Sequence, residues 1–246
     1  MEIKPYILLT GASSGIGAAC AVQLSANYNL ILAGRNEDKL EIVRQQCQHS
    51  DKHLKWICDL ATERENIISS LTTFLKENSA VVESFIHCAG VSRILPLKDF
   101  AISYIDEIFN VNFFSSVEII RCLLKRVNQK ALKNIVLVSA LFANRGNRGN
   151  SVYAASKGAL NSLVYSLALE LAPDIRINTL MPGAIETPMT VNLNQDYISS
   201  ITRATPLGMG HAEDVCNYIE FLISDKAKWI TGQTLYIDGG LDINCM

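Results

Sequence analysis

Seven short apolar runs alternate with amphipathic helical stretches along the whole chain, and no other feature limits the fold as much. The runs are YILLT (6–10), NLILAG (29–34), LKWIC (54–58), ESFIH (83–87), KNIVLVS (133–139), DIRINTL (174–180) and QTLYID (233–238). Each is almost continuously apolar, as expected for a strand covered by helices on both faces. Helical stretches stand between them near 15–26, 37–47, 62–78, 99–128, 152–172 and 212–224. This β-α-β alternation, with right-handed crossovers, predicts a Rossmann-type, doubly wound α/β fold with a parallel sheet of about seven strands. The 246 residues, with no linker or repeat, read as a single domain over 1–246. The one long irregular region spans about 183–205, with Pro182, Pro188 and Pro206 around it. Loops that long in a compact domain are usually functional, and this one is expected to form a substrate lid. Met189, Val191, Leu193, Tyr197 and Ile198 give it an apolar character that favours a mostly apolar substrate.

Composition removes several function classes. The formal net charge is −2 and no basic run is present, which argues against a nucleic-acid partner. The longest apolar stretches are too short to span a bilayer, so no membrane partner is expected. The N-terminal MEIKPYILLTGASSG is a poor signal peptide. The seven cysteines are scattered without a C-x-x-C pair, which favours reduced thiols and a cytoplasmic location. His49, His53, His87 and His211 lack metal-ligand spacing, so no metal site is expected.

The stretch LLTGASSGIGAAC ends the first strand and opens the first helix. Its glycines, Gly11, Gly15 and Gly17, are spaced G-x-x-x-G-x-G. Such glycines let the backbone turn tightly and approach a pyrophosphate, which then sits at the positive end of the helix. The same letters contain G-x-S-x-G around Ser13, the nucleophile elbow of α/β-hydrolases, but that fold needs several strands before the elbow and here there is one. At the end of the second strand, Gly34 stands where NAD-binding folds place an acid for the ribose 2′-hydroxyl, and Arg35 follows. A guanidinium binds a 2′-phosphate that a carboxylate would repel, so NADP(H) is expected over NAD(H).

Tyr153 and Lys157 are four apart on a helical stretch and so share a face. An ammonium beside a phenol is expected to lower the phenol's pKa and prepare it for proton transfer.

With these motifs in order over nearly the whole length, the chain resembles the short-chain dehydrogenase/reductase family, and within it the 3-oxoacyl-carrier-protein reductases. The glycine loop, with Ser13, Ser14 and Ile16 between and beside the glycines, is similar to the family's cofactor loop. CDL supplies Asp59 and Leu60 at the adenine position. HCAG (His87–Gly90) stands where the family has N-N-A-G and implies cofactor contacts at Ala89 and Gly90, with Cys88 in place of an asparagine. NVNFF places Asn112 as the helix asparagine that helps hold a relay water. YAASK carries the catalytic Tyr153 and Lys157, which also touch the cofactor. PGAIETPM resembles P-G-x-x-x-T, so Pro182, Gly183, Ile185 and Thr187 should line the nicotinamide end. The resemblance implies hydride transfer between the nicotinamide and a ketone or secondary alcohol, with a small-molecule carbonyl substrate and a homotetramer or homodimer.

One position departs from the pattern. The family's catalytic serine lies thirteen residues before the tyrosine, and that count from Tyr153 reaches Ala140. Ser139 falls on the neighbouring position, which points to the opposite face of a strand unless a bulge re-aims it. Asn144, in the following loop, is a candidate replacement donor. An NADP-binding protein with weak or no redox turnover is therefore an alternative reading. A dehydratase or isomerase on the same scaffold is a third.

Overall fold

The computed structural model describes residues 5–191 and 194–243. Its centre is one parallel seven-stranded sheet in the order β3-β2-β1-β4-β5-β6-β7. The strands are β1 (Pro5–Thr10), β2 (Asn29–Gly34), β3 (Leu54–Ile57), β4 (Val81–His87), β5 (Asn134–Val138), β6 (Arg176–Pro182) and β7 (Thr234–Ile237). All seven expected runs become strands, because each can bury both faces. In β1, Leu8 packs into the core on one side of the sheet and Leu9 into the core on the other. This is the period-two alternation of a strand.

Helices α1 (Gly15–Leu24), α2 (Glu37–Gln46) and α9 (Ala212–Ile223) cover one face. Helices α3 (Ile67–Glu77), α5 (Ser115–Leu123) and α6 (Ser151–Leu171) cover the other. The strand order reverses between β1 and β4, and a crevice opens at such a switch point beyond the carboxyl ends of the strands.

Two elements differ from expectation. The single helix expected over 99–128 is α4 (Ile102–Phe109) and α5 joined by a π-helical turn, Asn110–Phe114. The cause lies outside the helix. The fully buried Asn112 side chain bonds both backbone groups of Val91: its Oδ1 accepts from Val91 N (2.8 Å) and its Nδ2 donates to Val91 O (3.0 Å). A wider turn turns that side chain off the regular helical path, and such π turns recur at functional sites.

The region 183–205, expected to be irregular, contains α7 (Pro188–Val191) and α8 (Gln195–Ala204). Pro188 opens α7, where its missing N–H costs nothing. The Asn194 side chain caps α8 by accepting from Asp196 N at 2.7 Å. Leu193 lies outside the described residues, as do the side chains of Met189 and Val191.

Six cysteines are free thiols among the described residues, and Cys245 lies outside them. No helix among the described residues is long and apolar enough to cross a membrane.

Candidate active site

A cleft of about 280 Å³ lies at the switch point. Its floor is the loop between β1 and α1. Gly11 sits at φ +68°, and a Cβ there would come within 2.7 Å of Ala89 N. A Cβ on Gly17 would collide with the Gly11 carbonyl. The loop is therefore a cradle that only glycine permits. Ser14 makes no side-chain cap to α1, and the first turn of α1 holds no acid. Its unpaired N–H groups and positive end are left for an anion. These features fit the pyrophosphate of a dinucleotide. Gly11, Ser14, Gly15, Ile16 and Gly17 all line the cleft, whereas Ser13 does not. The nucleophile-elbow reading of Ser13 fails on topology, since β1 alone precedes it.

The other expected dinucleotide contacts fall into two groups. Ala89 and Gly90, after β4, line the cleft with Pro182, Gly183, Ile185 and Thr187, at and after the end of β6. A Cβ on Gly15 would lie 3.6 Å from Thr187 Cβ, so the P-G-x-x-x-T segment faces the glycine loop. Arg35, Asp59 and Leu60 stand off this cleft, at the ends of β2 and β3. Arg35 is exposed and forms no ion pair among the described residues. The Asp59 carboxylate accepts from Ala61 N at 3.0 Å, and Leu60 is buried in the core.

Tyr153 and Lys157 both reach the cleft from the first turns of α6. Lys157 is 3% exposed, and its Nζ donates to the Val138 carbonyl at 2.8 Å. Burial lowers its pKa to about 8. Burial also pushes the Tyr153 phenol up to about 12. The expectation that Lys157 lowers the tyrosine is corrected here, since the loss of water around the phenolate dominates. Asn112 does not line the cleft, but its Nδ2 donates to Ser156 Oγ at 2.9 Å on α6. A Cβ on Gly90 would lie 3.2 Å from Lys157 Nζ and 3.6 Å from Asn112 Oδ1, so the three adjoin. His87, beneath, is fully buried, and burial lowers its pKa to about 3, which keeps it neutral.

The serine question has a geometric answer. The β5–β6 register runs from Asn134 to Val138 without a slip, and Ser139 N continues it to Leu180 O (2.7 Å). No bulge re-aims the strand. Ser139 also lines the cleft, but its Oγ donates to the Lys157 carbonyl at 2.9 Å, so its hydroxyl is held against α6. Ala140, in extended conformation at φ −158°, lines the cleft with a methyl group. Asn144 does not replace the serine, because its Nδ2 donates to the Tyr236 hydroxyl at 3.0 Å, outside the cleft.

The residue reading missed Ile94, Leu141, Phe142, Ile201, Met209 and Leu241, which make the cleft apolar, and the polar Ser92 and Asn150. Asn150 carried a usable signal, since it lies three residues before Tyr153. The apolar residues come from separate loops and helices, which no local pattern links.

A family model described as Enoyl-(Acyl carrier protein) reductase matches residues 11–242. The chain is 33% identical over 239 residues to 3-oxoacyl-[acyl-carrier-protein] reductase FabG of Rickettsia conorii, covering 95% of each protein. It is 32% identical to carbonyl reductase family member 4 of Xenopus laevis, covering 95% of this chain and 96% of that one. Among solved structures it superimposes on 4-hydroxyisoleucine dehydrogenase complexed with NADH, with TM-score 0.90 and 28% identity over 98% of this chain and 100% of that one. A short-chain dehydrogenase/reductase from Brucella melitensis gives TM-score 0.87 at 27% identity, covering 98% of each chain. No cluster of three or more His, Cys, Asp or Glu side chains suited to a metal occurs among the described residues. On fold, cleft and relatives together, this chain is an oxidoreductase of the short-chain dehydrogenase/reductase family.

Proposed function

We propose that the protein is an NADP(H)-dependent reductase of ketones, run in reverse a dehydrogenase of secondary alcohols, with 3-oxoacyl thioesters as the model substrate class. The observation that carries this reading is the convergence of Tyr153 and Lys157 on an apolar cleft floored by the glycine cradle. The nicotinamide, when bound, supplies or receives the hydride. The glycine loop and the α1 N-terminus hold the pyrophosphate, Thr187 and Ile185 the nicotinamide end, and Arg35 the 2′-phosphate. Asp59 and Leu60 flank the adenine.

In the reducing direction Tyr153 donates its proton to the carbonyl oxygen. A phenol pushed up to about 12 stays protonated across the working range, and a positive charge beside it is needed to ease the loss of its proton. Lys157, with a pKa of about 8, brings a positive charge to the phenolate left behind and holds the ribose. Asn112, fixed to Val91 and Ser156, positions the water route that returns a proton on the Lys157 side. The segment 183–205 serves as the substrate cover, since Tyr197, Ile198 and Ile201 of α8 line the cleft.

Ala140 favours a second reading, a cofactor-binding protein with little redox turnover. One oxyanion donor is worth about 10²–10³ in rate. NADPH oxidation against a panel of ketones and 3-oxoacyl thioesters decides between them. The first reading expects turnover. Cofactor binding without turnover of any ketone overturns it in favour of the second.

The reading extends to a cytoplasmic homo-oligomer. β7 is an edge strand, and around it Leu169 is 87% exposed and Trp229 93% exposed, with Tyr165 and Tyr236 also exposed. Tyr165 adjoins the strand, its hydroxyl accepting from Thr234 Oγ1 at 3.3 Å. An open sheet edge beside exposed apolar side chains is suited to pairing with a second copy.

A further inference from the structure

With a methyl group at Ala140, Tyr153 is left as one side-chain donor to the substrate oxygen where two are useful. We propose that the Asn150 side-chain amide is the second donor, standing in from the start of α6 for the hydroxyl missing from the end of β5. This rests on the ketone-reductase reading above.

Four observations carry the assignment. First, Asn150 is 3% exposed and lines the cleft. Second, it occupies the N-cap position of α6 but makes no capping bond with its side chain. An N-cap asparagine ordinarily spends its side chain on the free N–H groups of the first turn. Here Oδ1 accepts from Ser92 Oγ instead, at 3.5 Å, which turns Nδ2 the other way.

Third, Nδ2 donates to no acceptor among the described residues. The sealed side-chain atoms without a partner there are His87 Nε2 and Asn161 Oδ1, so Asn150 Nδ2 is not sealed in the interior, and the residue lines the cleft. Fourth, Asn150 stands three residues before Tyr153, at the N-cap of the helix that carries it, and both residues line the same cleft.

Two rival hydroxyls are already engaged. Ser139 Oγ donates to the Lys157 carbonyl, and Thr190 Oγ1 donates to the carbonyls of Ile185 and Thr187. Ser92 is committed to Asn150 itself. The Tyr197 hydroxyl rides on the cover helix, whereas Asn150 is fixed to the same element as the proton donor. A neutral amide transfers no proton. It stabilises negative charge as it grows on the oxygen, while Tyr153 supplies the proton.

The test is a double-mutant cycle of Asn150→Ala with Ala140→Ser, read as kcat on a simple ketone with NADPH, together with cofactor Kd. Asn150→Ala is expected to lower kcat by about 10- to 100-fold. Cofactor affinity should stay within about twofold, since the amide meets only substrate. Asn150→Asp should be at least as damaging, because a carboxylate accepts but cannot donate. Ala140→Ser should raise kcat more in the Asn150→Ala background than in the unmodified protein, a rescue that a purely structural role would not produce.

A readout independent of turnover is a crystal of Tyr153→Phe with NADPH and a ketone. The carbonyl oxygen should lie within hydrogen-bond distance of Asn150 Nδ2, and this decides the matter if Asn150→Ala does not fold. The assignment alone falls if the protein is active and Asn150→Ala keeps its kcat, if Ala140→Ser gains equally in both backgrounds, or if the oxygen bonds elsewhere. An unmodified protein that turns over no ketone overturns the redox reading and the assignment with it.

Discussion

Burial moves Tyr153 and Lys157 in opposite directions, the phenol up to about 12 and the ammonium down to about 8. Both shifts favour the neutral form, because water is withdrawn from whichever form is charged. For Lys157 the consequence for stability has a definite sign. Its unfolded side chain titrates near 10.5, so between about pH 8 and 10.5 the unfolded chain binds more protons and stability rises with pH. Below about 8 the buried charge carries its whole cost. Lys157→Met removes that charge and should stabilise the protein at pH 7 by on the order of 1–3 kcal/mol, offset in part by the lost bond to Val138. The gain should shrink toward zero above about pH 10.5, while activity is lost at every pH. Urea midpoints at pH 7 and pH 10 check this, and an unchanged or lower midpoint at pH 7 contradicts it. Tyr153, Lys157 and the glycines were legible because their spacing is local. The direction of the tyrosine shift was not, since it depends on how much chain covers the phenol.

The strands were readable because a parallel strand buried on both faces declares itself in a handful of consecutive residues. Helix interruptions were less so. The π turn at Asn110–Phe114 answers to Val91, about twenty residues away, and leaves no trace in the helical period. The cover segment gave a usable sign that its prolines obscured: Tyr197, Ile198 and Ile201 share a face at helical spacing behind a capping Asn194. The connection between β2 and α2 carries its own prediction. Asn36 caps α2, accepting from Lys39 N at 2.9 Å, which fixes Arg35 one residue earlier at the strand end. NADPH should bind more tightly than NADH, and Arg35→Ala should remove most of that difference, about 10- to 100-fold for a charge-assisted contact. Titrations of both cofactors against both proteins measure it. Equal dissociation constants in the unmodified protein would sink the claim.

Across the whole molecule the sheet assigns different tasks to its two ends and its edge. The carboxyl ends of β1, β4, β5 and β6 carry the cleft, and β7 leaves an apolar margin with Leu169 and Trp229. Leu169→Glu places a charge in that margin and should shift sedimentation toward the monomer, while secondary structure is unchanged because the side chain is already exposed. An unmodified chain that sediments as a monomer contradicts the oligomer. Because the proposed dinucleotide cradle lies on the β1–α1 loop and the proposed proton donor on α6, binding and chemistry should be separable by one substitution. The most direct measurement is the turnover and NADPH affinity of Tyr153→Phe beside the unmodified protein. The account predicts ketone reduction by the unmodified protein, its near-complete loss in the variant, and a dissociation constant for NADPH that changes little. A Tyr153→Phe protein that keeps most of its turnover would contradict it.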